Sequence, residues 1–124
     1  MSRHPVASAH IFPVDQQEFH AKVVDASQGG PILVDFWADW CAPCHALTPH
    51  LTRVIEESGG SLRLAQVEVD EGDNMKLAGH YRLRGFPTVI LFLGGEELGR
   101  FSGARASHWI RDWLDEHLVN PVPE

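Results

Sequence analysis

The chain has 124 residues, 44% of them hydrophobic, and a formal charge of −7, which suits one domain with one core. A net negative charge argues against a broad nucleic-acid or anionic-membrane surface, and no apolar run approaches the ~20 residues of a membrane span. The only cysteines, Cys41 and Cys44, stand three apart, too close to staple a fold, so a structural disulfide framework is excluded. Met1 to His10 contains no apolar core of signal-peptide length, so the chain reads as cytoplasmic.

Residues 1–8 read as a flexible lead-in, 9–119 as one domain and 120–124, with Pro121 and Pro123, as a short tail. A short edge strand is expected from Ala9 to Phe12. Asp15 to Glu18 has the spacing of a helix N-cap with an acid at N3, with Val14 and Phe19 where a hydrophobic staple sits. Phe19, Val23 and Val24 form the helix's apolar face, and Gly29-Gly30 stops it. The apolar run Ile32 to Trp37 predicts a buried strand. A short loop then delivers Cys41-Ala42-Pro43-Cys44 to a helix expected to turn Ala46, Leu47 and Leu51 inward. Pro49 falls inside that helix, where it removes a backbone hydrogen bond and bends the axis. Gly59-Gly60 ends it.

Leu62 to Val69 is a third strand, and Asp70 to His80 a loop with a short helix. Thr88 to Leu93 is a β-rich apolar strand, and Gly94-Gly95 turns it into Leu98 to Ser102. Trp109, Ile110, Trp113, Leu114 and Leu118 repeat at helical spacing, as a core stripe does. The order β-α-β-α-β-α-β-β-α predicts parallel strands joined by crossovers, then an antiparallel hairpin. That is a mixed sheet with helices on both faces, a three-layer α/β/α sandwich.

The two cysteines stand where a strand gives way to a helix N-terminus. Free N–H groups and the helix dipole favour a thiolate there. Two thiols so placed close a disulfide without moving the backbone. Cys41, at the helix start, is expected to be the more exposed sulfur, and Cys44, one turn in, the more buried. That asymmetry makes Cys41 the attacking thiolate and Cys44 the one that resolves the mixed disulfide. Pro43 suits the first helical turn. Two other chemistries share the motif. Zinc needs four ligands, and there is no second cysteine pair; His45 and His50 are nearby, but Cys44 and His45 project about 100° apart on a helix. Cys41 to His45 also matches C-x-x-C-H, the c-type haem attachment pattern, which needs export and a distal ligand. Asp35 sits inside an apolar strand, where a carboxylate is costly; it serves either chemistry or a backbone cap.

Val34-Asp35-Phe36-Trp37-Ala38-Asp39-Trp40-Cys41-Ala42-Pro43-Cys44, with Pro49, Asp70, Gly85-Phe86-Pro87-Thr88, Gly95 and Gly103, resembles the thioredoxin family over residues 9–119. The resemblance implies a thioredoxin-like α/β/α fold. It implies that Asp35 lies beneath Cys44 as its general base, with a pKa raised by desolvation. It implies a cis Pro87 facing the cysteines, where the backbone of Phe86 binds an extended client. Trp40, Ala42, Pro43, Phe86, Pro87, Gly103 and Ala104 would then form an apolar rim around Cys41, with Trp37 packed beneath and His45 on the exposed helix surface. Two positions depart from the family: Ala42 replaces a common glycine, and Gln66 stands where a lysine often pairs with the aspartate. The activity implied is reduction of protein disulfides by a monomer with no bound cofactor and no metal. Electrons would come from a thioredoxin-reductase-like donor, serving electron transport and cell redox homeostasis. The alternatives are an exported thiol oxidoreductase and a thioredoxin-fold chaperone or assembly factor that does not need its cysteines.

Overall fold

The computed structural model describes residues 9–118, so the lead-in over 1–8 and the tail over 120–124 lie outside the described residues. Strand β1 (Ile11–Pro13) leads to helix α1 (Gln16–Phe19). The helical path continues as a π-helical stretch over His20–Asp25 and a 3-10 turn over Ala26–Gly29. Then follow β2 (Ile32–Trp37), α2 (Ala42–Glu57), β3 (Arg63–Glu68), α3 (Met75–His80), β4 (Thr88–Leu93), β5 (Glu96–Ser102) and α4 (Ser107–Leu118). The expected order holds, with the first strand displaced to where it can pair with β3, Ile11 opposite Leu64.

The sheet order is β1-β3-β2-β4-β5. β3 runs parallel to both β1 and β2, while β4 is antiparallel to β2 and β5 to β4. β2 is therefore central and joins the parallel and antiparallel halves. A register shift at Leu91/Phe92 leaves Leu98 out of the ladder and exposed.

Alternation along β2 divides the core in two. Ile32, Val34 and Phe36 cluster with Phe19, Val23 and Leu77, under the first helical segment and α3. Leu33 clusters with Leu47, Leu51, Ile55 and Ile110, under α2 and α4. The inward stripe of α2 is Cys44, Leu47, Leu51, Val54 and Ile55. Ala46, expected to face inward, is exposed, because it lies about 100° around the axis from Leu47. α2 runs on through Pro49, whose missing N–H leaves the His45 carbonyl without its usual donor. The neighbouring Cys44 carbonyl accepts from the Thr48 hydroxyl at 3.1 Å.

The N-cap expected at Asp15 is present: its N–H donates to Glu18 Oε1 at 3.4 Å, and Val14 and Phe19 are both buried in one cluster. A buried residue with no sequence signal, Asn74, secures this corner. Its Oδ1 accepts from Gln16 N at 2.7 Å, and its Nδ2 donates to the Glu68 carbonyl at 2.9 Å. One amide thereby joins α1 to the end of β3. No helix among the described residues is long and apolar enough to cross a membrane.

Candidate active site

The C-terminal ends of β2, β3 and β5 and the start of β4 lie along one edge of the sheet. β2 opens there into a loop that ends at Cys41, the N-cap of α2, in an extended conformation. Cys41 and Cys44 are joined as a disulfide with Cα atoms 5.3 Å apart, inside the range this bond requires. The expected contrast in exposure is slight in this state: Cys41 is 4% exposed and Cys44 2%. The bond holds both sulfurs against the first turn of the helix. Hydrogen bonding distinguishes them instead. The Cys44 N–H, one of the free donors of the helix start, points at Cys41 Sγ at 3.2 Å. Negative charge on the Cys41 sulfur therefore meets both an N–H and the positive end of the helix dipole.

Of the expected rim, Trp40, Ala42 and Pro43 flank the cysteines in the chain, Trp40 meets Phe86, and Gly103 bonds to Pro87. Trp40 is 68% exposed and is held by a bond from Nε1 to Asp70 Oδ2 at 2.8 Å. Its ring meets Phe86 nearly at right angles, 6.3 Å between centroids. Ala42, Pro43 and Ala104 are exposed, Phe86 and Gly103 half-buried, and Pro87 buried, so Pro87 offers little side-chain surface. The Phe86–Pro87 peptide is cis, as the resemblance implies. Gly103, at φ 84, donates its N–H to the Pro87 carbonyl at 3.0 Å, and this positive φ is one that glycine adopts freely.

His45 is exposed, with Nε2 2.7 Å from the Asp39 carbonyl and its ring edge-on to half-buried Trp37. His50, one of the histidines without a sequence-level role outside the zinc alternative, accepts at Nδ1 from the Ser107 N–H at 3.1 Å, tying α2 to the start of α4. Among the described residues no three His, Cys, Asp or Glu side chains converge as a metal site would require.

Asp35 is 1% exposed, and its Oδ1 has no hydrogen-bond partner among the described residues. It shares the sheet face of Leu33, the face that α2 covers, between Gln66 on β3 and Val89 on β4. It does not serve as a satisfied backbone cap at that oxygen. Burial pushes its pKa up to about 7. At the end of β3, burial followed by the charges of Glu71, Asp39 and Asp70 raises the Glu68 pKa.

A redox-closed cysteine pair at a helix start, over a mixed sheet with helices on both faces, defines a thiol–disulfide oxidoreductase. Comparison with known proteins agrees. The family model described as Thioredoxin matches residues 10–116. A thioredoxin of Chlorobaculum thiosulfatiphilum is 33% identical over 107 residues, covering 86% of this chain and 95% of that protein. A protein of Caenorhabditis elegans described as probable thioredoxin-2 is 36% identical over 118 residues, covering 94% and 79%. Thioredoxin 2 of Chlorobaculum tepidum is 34% identical, covering 90% and 98%. The chain belongs to the thioredoxin family.

Proposed function

We propose that this protein reduces disulfides in client proteins. The Cys41 thiolate attacks one sulfur of a client disulfide, forming an intermolecular bond and expelling the other client sulfur as thiolate. Cys44 loses its proton to Asp35 and attacks Cys41 Sγ, which expels the second client sulfur as thiolate, to be protonated from solvent, and leaves the Cys41–Cys44 disulfide. A thioredoxin-reductase-like dithiol partner returns the pair to its reduced form. The observation that carries this reading is the Cys44 N–H directed at Cys41 Sγ, which makes Cys41 the better-stabilised thiolate. Trp40, Ala42, Pro43, Phe86, Gly103 and Ala104 supply the client-facing surface, and Pro87 shapes it from beneath. Both cysteines lie in the motif, so no structural bridge demands an oxidising compartment; the cytoplasm is the compartment we propose, with the protein acting as a monomer.

The test is insulin reduction driven by a generic reductase, run on the wild type and on a variant with both cysteines changed to serine. The wild type is expected to reduce insulin and the double variant to lose the activity while keeping its fold. A double variant that restores full function in cells would favour the chaperone reading.

A further inference from the structure

A carboxyl group that takes the Cys44 proton must give it up before the next turnover, yet Asp35 is almost wholly buried. Across its sheet face the registered neighbours toward β4 and β5 are Val89 and then Phe101, both apolar and buried. Neither can relay a proton. Toward β3 and β1 the neighbours are half-buried Gln66 and then Pro13. Those two residues line a cleft of about 370 Å³ together with Asp15, Glu68 and Glu71. Gln66 and Glu68, two apart on one strand, share the Asp35 face.

We propose that the Asp35 proton leaves sideways through this cleft, across water held between Asp35 Oδ1 and the Gln66 carboxamide, to the Glu68 carboxylate. The proposal rests on reading Asp35 as the base for Cys44. The unpartnered Oδ1 is the kind of buried polar atom that ordered water satisfies, and the cleft is large enough to admit water. Gln66 offers both donors and an acceptor but no acidic proton, so it positions the water and does not carry charge. The groups facing Glu68 are carboxylates: Asp39 from the loop after β2, Asp70 and Glu71 from the loop after β3, and Asp15 across the cleft. Together with burial they raise the proton affinity of Glu68 above that of an isolated glutamate. In the relay the Cys44 S–H breaks and an Asp35 O–H forms. That O–H then yields its proton to water while the water passes one to a Glu68 oxygen, which releases it to solvent. No electrons move in these steps.

The experiment is an NMR titration of the carboxyl carbon of Asp35 in the reduced full chain, in wild type, Gln66→Leu and Glu68→Gln. The wild type is expected to show one averaged signal that moves with pH. Gln66→Leu fills the position with an apolar group and is expected to slow exchange at least tenfold, giving separate or strongly broadened signals near the midpoint. Glu68→Gln is expected to broaden the signal, and a tenfold rise in phosphate buffer is expected to narrow it by replacing the lost carboxylate. An averaged signal of wild-type width in both variants would overturn the proposal. Resolution of a Cys41 mixed disulfide by wild type and Asp35→Asn separates the two readings. If Asp35→Asn resolves as fast as wild type, Asp35 is not the base, whatever the line shapes show.

Discussion

Ile32, Val34 and Phe36 project from one face of β2, and Leu33 and Asp35 from the other. The first set is closed over by apolar groups, with Phe19 and Tyr81 in ring contact with each other and with both Phe36 and Phe92 at 5.6–6.2 Å. The second places a carboxyl group, one oxygen of which has no partner among the described residues, under the helix that carries the cysteines. One strand thus has a wholly apolar face and a face that pairs Leu33, in the core under α2 and α4, with a buried carboxyl group. Apolar packing on both faces holds Asp35 in place although burial disfavours its charged form.

Phe36→Ala should produce the largest effect, because it empties a ring-sized space in the aromatic cluster. A loss of about 3–5 kcal/mol is expected in denaturant melts. Insulin reduction per folded molecule should stay close to wild type. A fall in activity per folded molecule that matched the loss in stability would erase the contrast between the faces.

Asp35→Asn should act in the opposite sense. The folded pKa, about 7, lies above the ordinary aspartate value of 3.8, so the native state keeps its proton to higher pH than the unfolded chain. The penalty for holding the carboxylate is absent below about pH 4, grows between about pH 4 and 7, and is complete above that. Asp35→Asn should therefore stabilise the disulfide-bonded protein near and above neutral pH, by up to on the order of 4 kcal/mol, with no gain at pH 3. It should also slow resolution by Cys44. Melts of the two proteins across this range check the sign.

Gln66→Lys should sharpen the same comparison with a smaller effect. An ammonium beside Asp35 favours the carboxylate, and a fall of about one pKa unit, worth about 1.4 kcal/mol, is expected in the carboxyl-carbon titration. A titration that ignored the lysine would show that position 66 does not reach Asp35 electrostatically.

Most of this architecture is legible in the sequence because it depends on period and punctuation. The apolar run from Ile32 to Trp37, the cysteines just after it and the glycine pairs that end helices are all local signals. The odd polar residue in the run, Asp35, marks itself by being costly there. Long-range contacts leave no such trace. Nothing around Asn74 announces that its amide joins α1 to β3, and His50 gives no hint that it receives the first N–H of α4. The apolar spacing of Phe19, Val23 and Val24 reads as ordinary helix and conceals the π-helical stretch. Helix position alone predicts an exposure contrast between the cysteines and takes no account of the disulfide, in which both sulfurs are almost equally buried.

The division of labour between Cys41 and Cys44 is the central claim, and trapping tests it most directly. Cys41→Ser and Cys44→Ser are each incubated with disulfide-bearing clients, and the covalent adducts are identified by mass spectrometry. Cys44→Ser is expected to accumulate mixed disulfides through Cys41, because attack proceeds and resolution does not, while Cys41→Ser is expected to accumulate none. Equal trapping by the two variants would contradict the assignment that the Cys44 N–H at Cys41 Sγ supports.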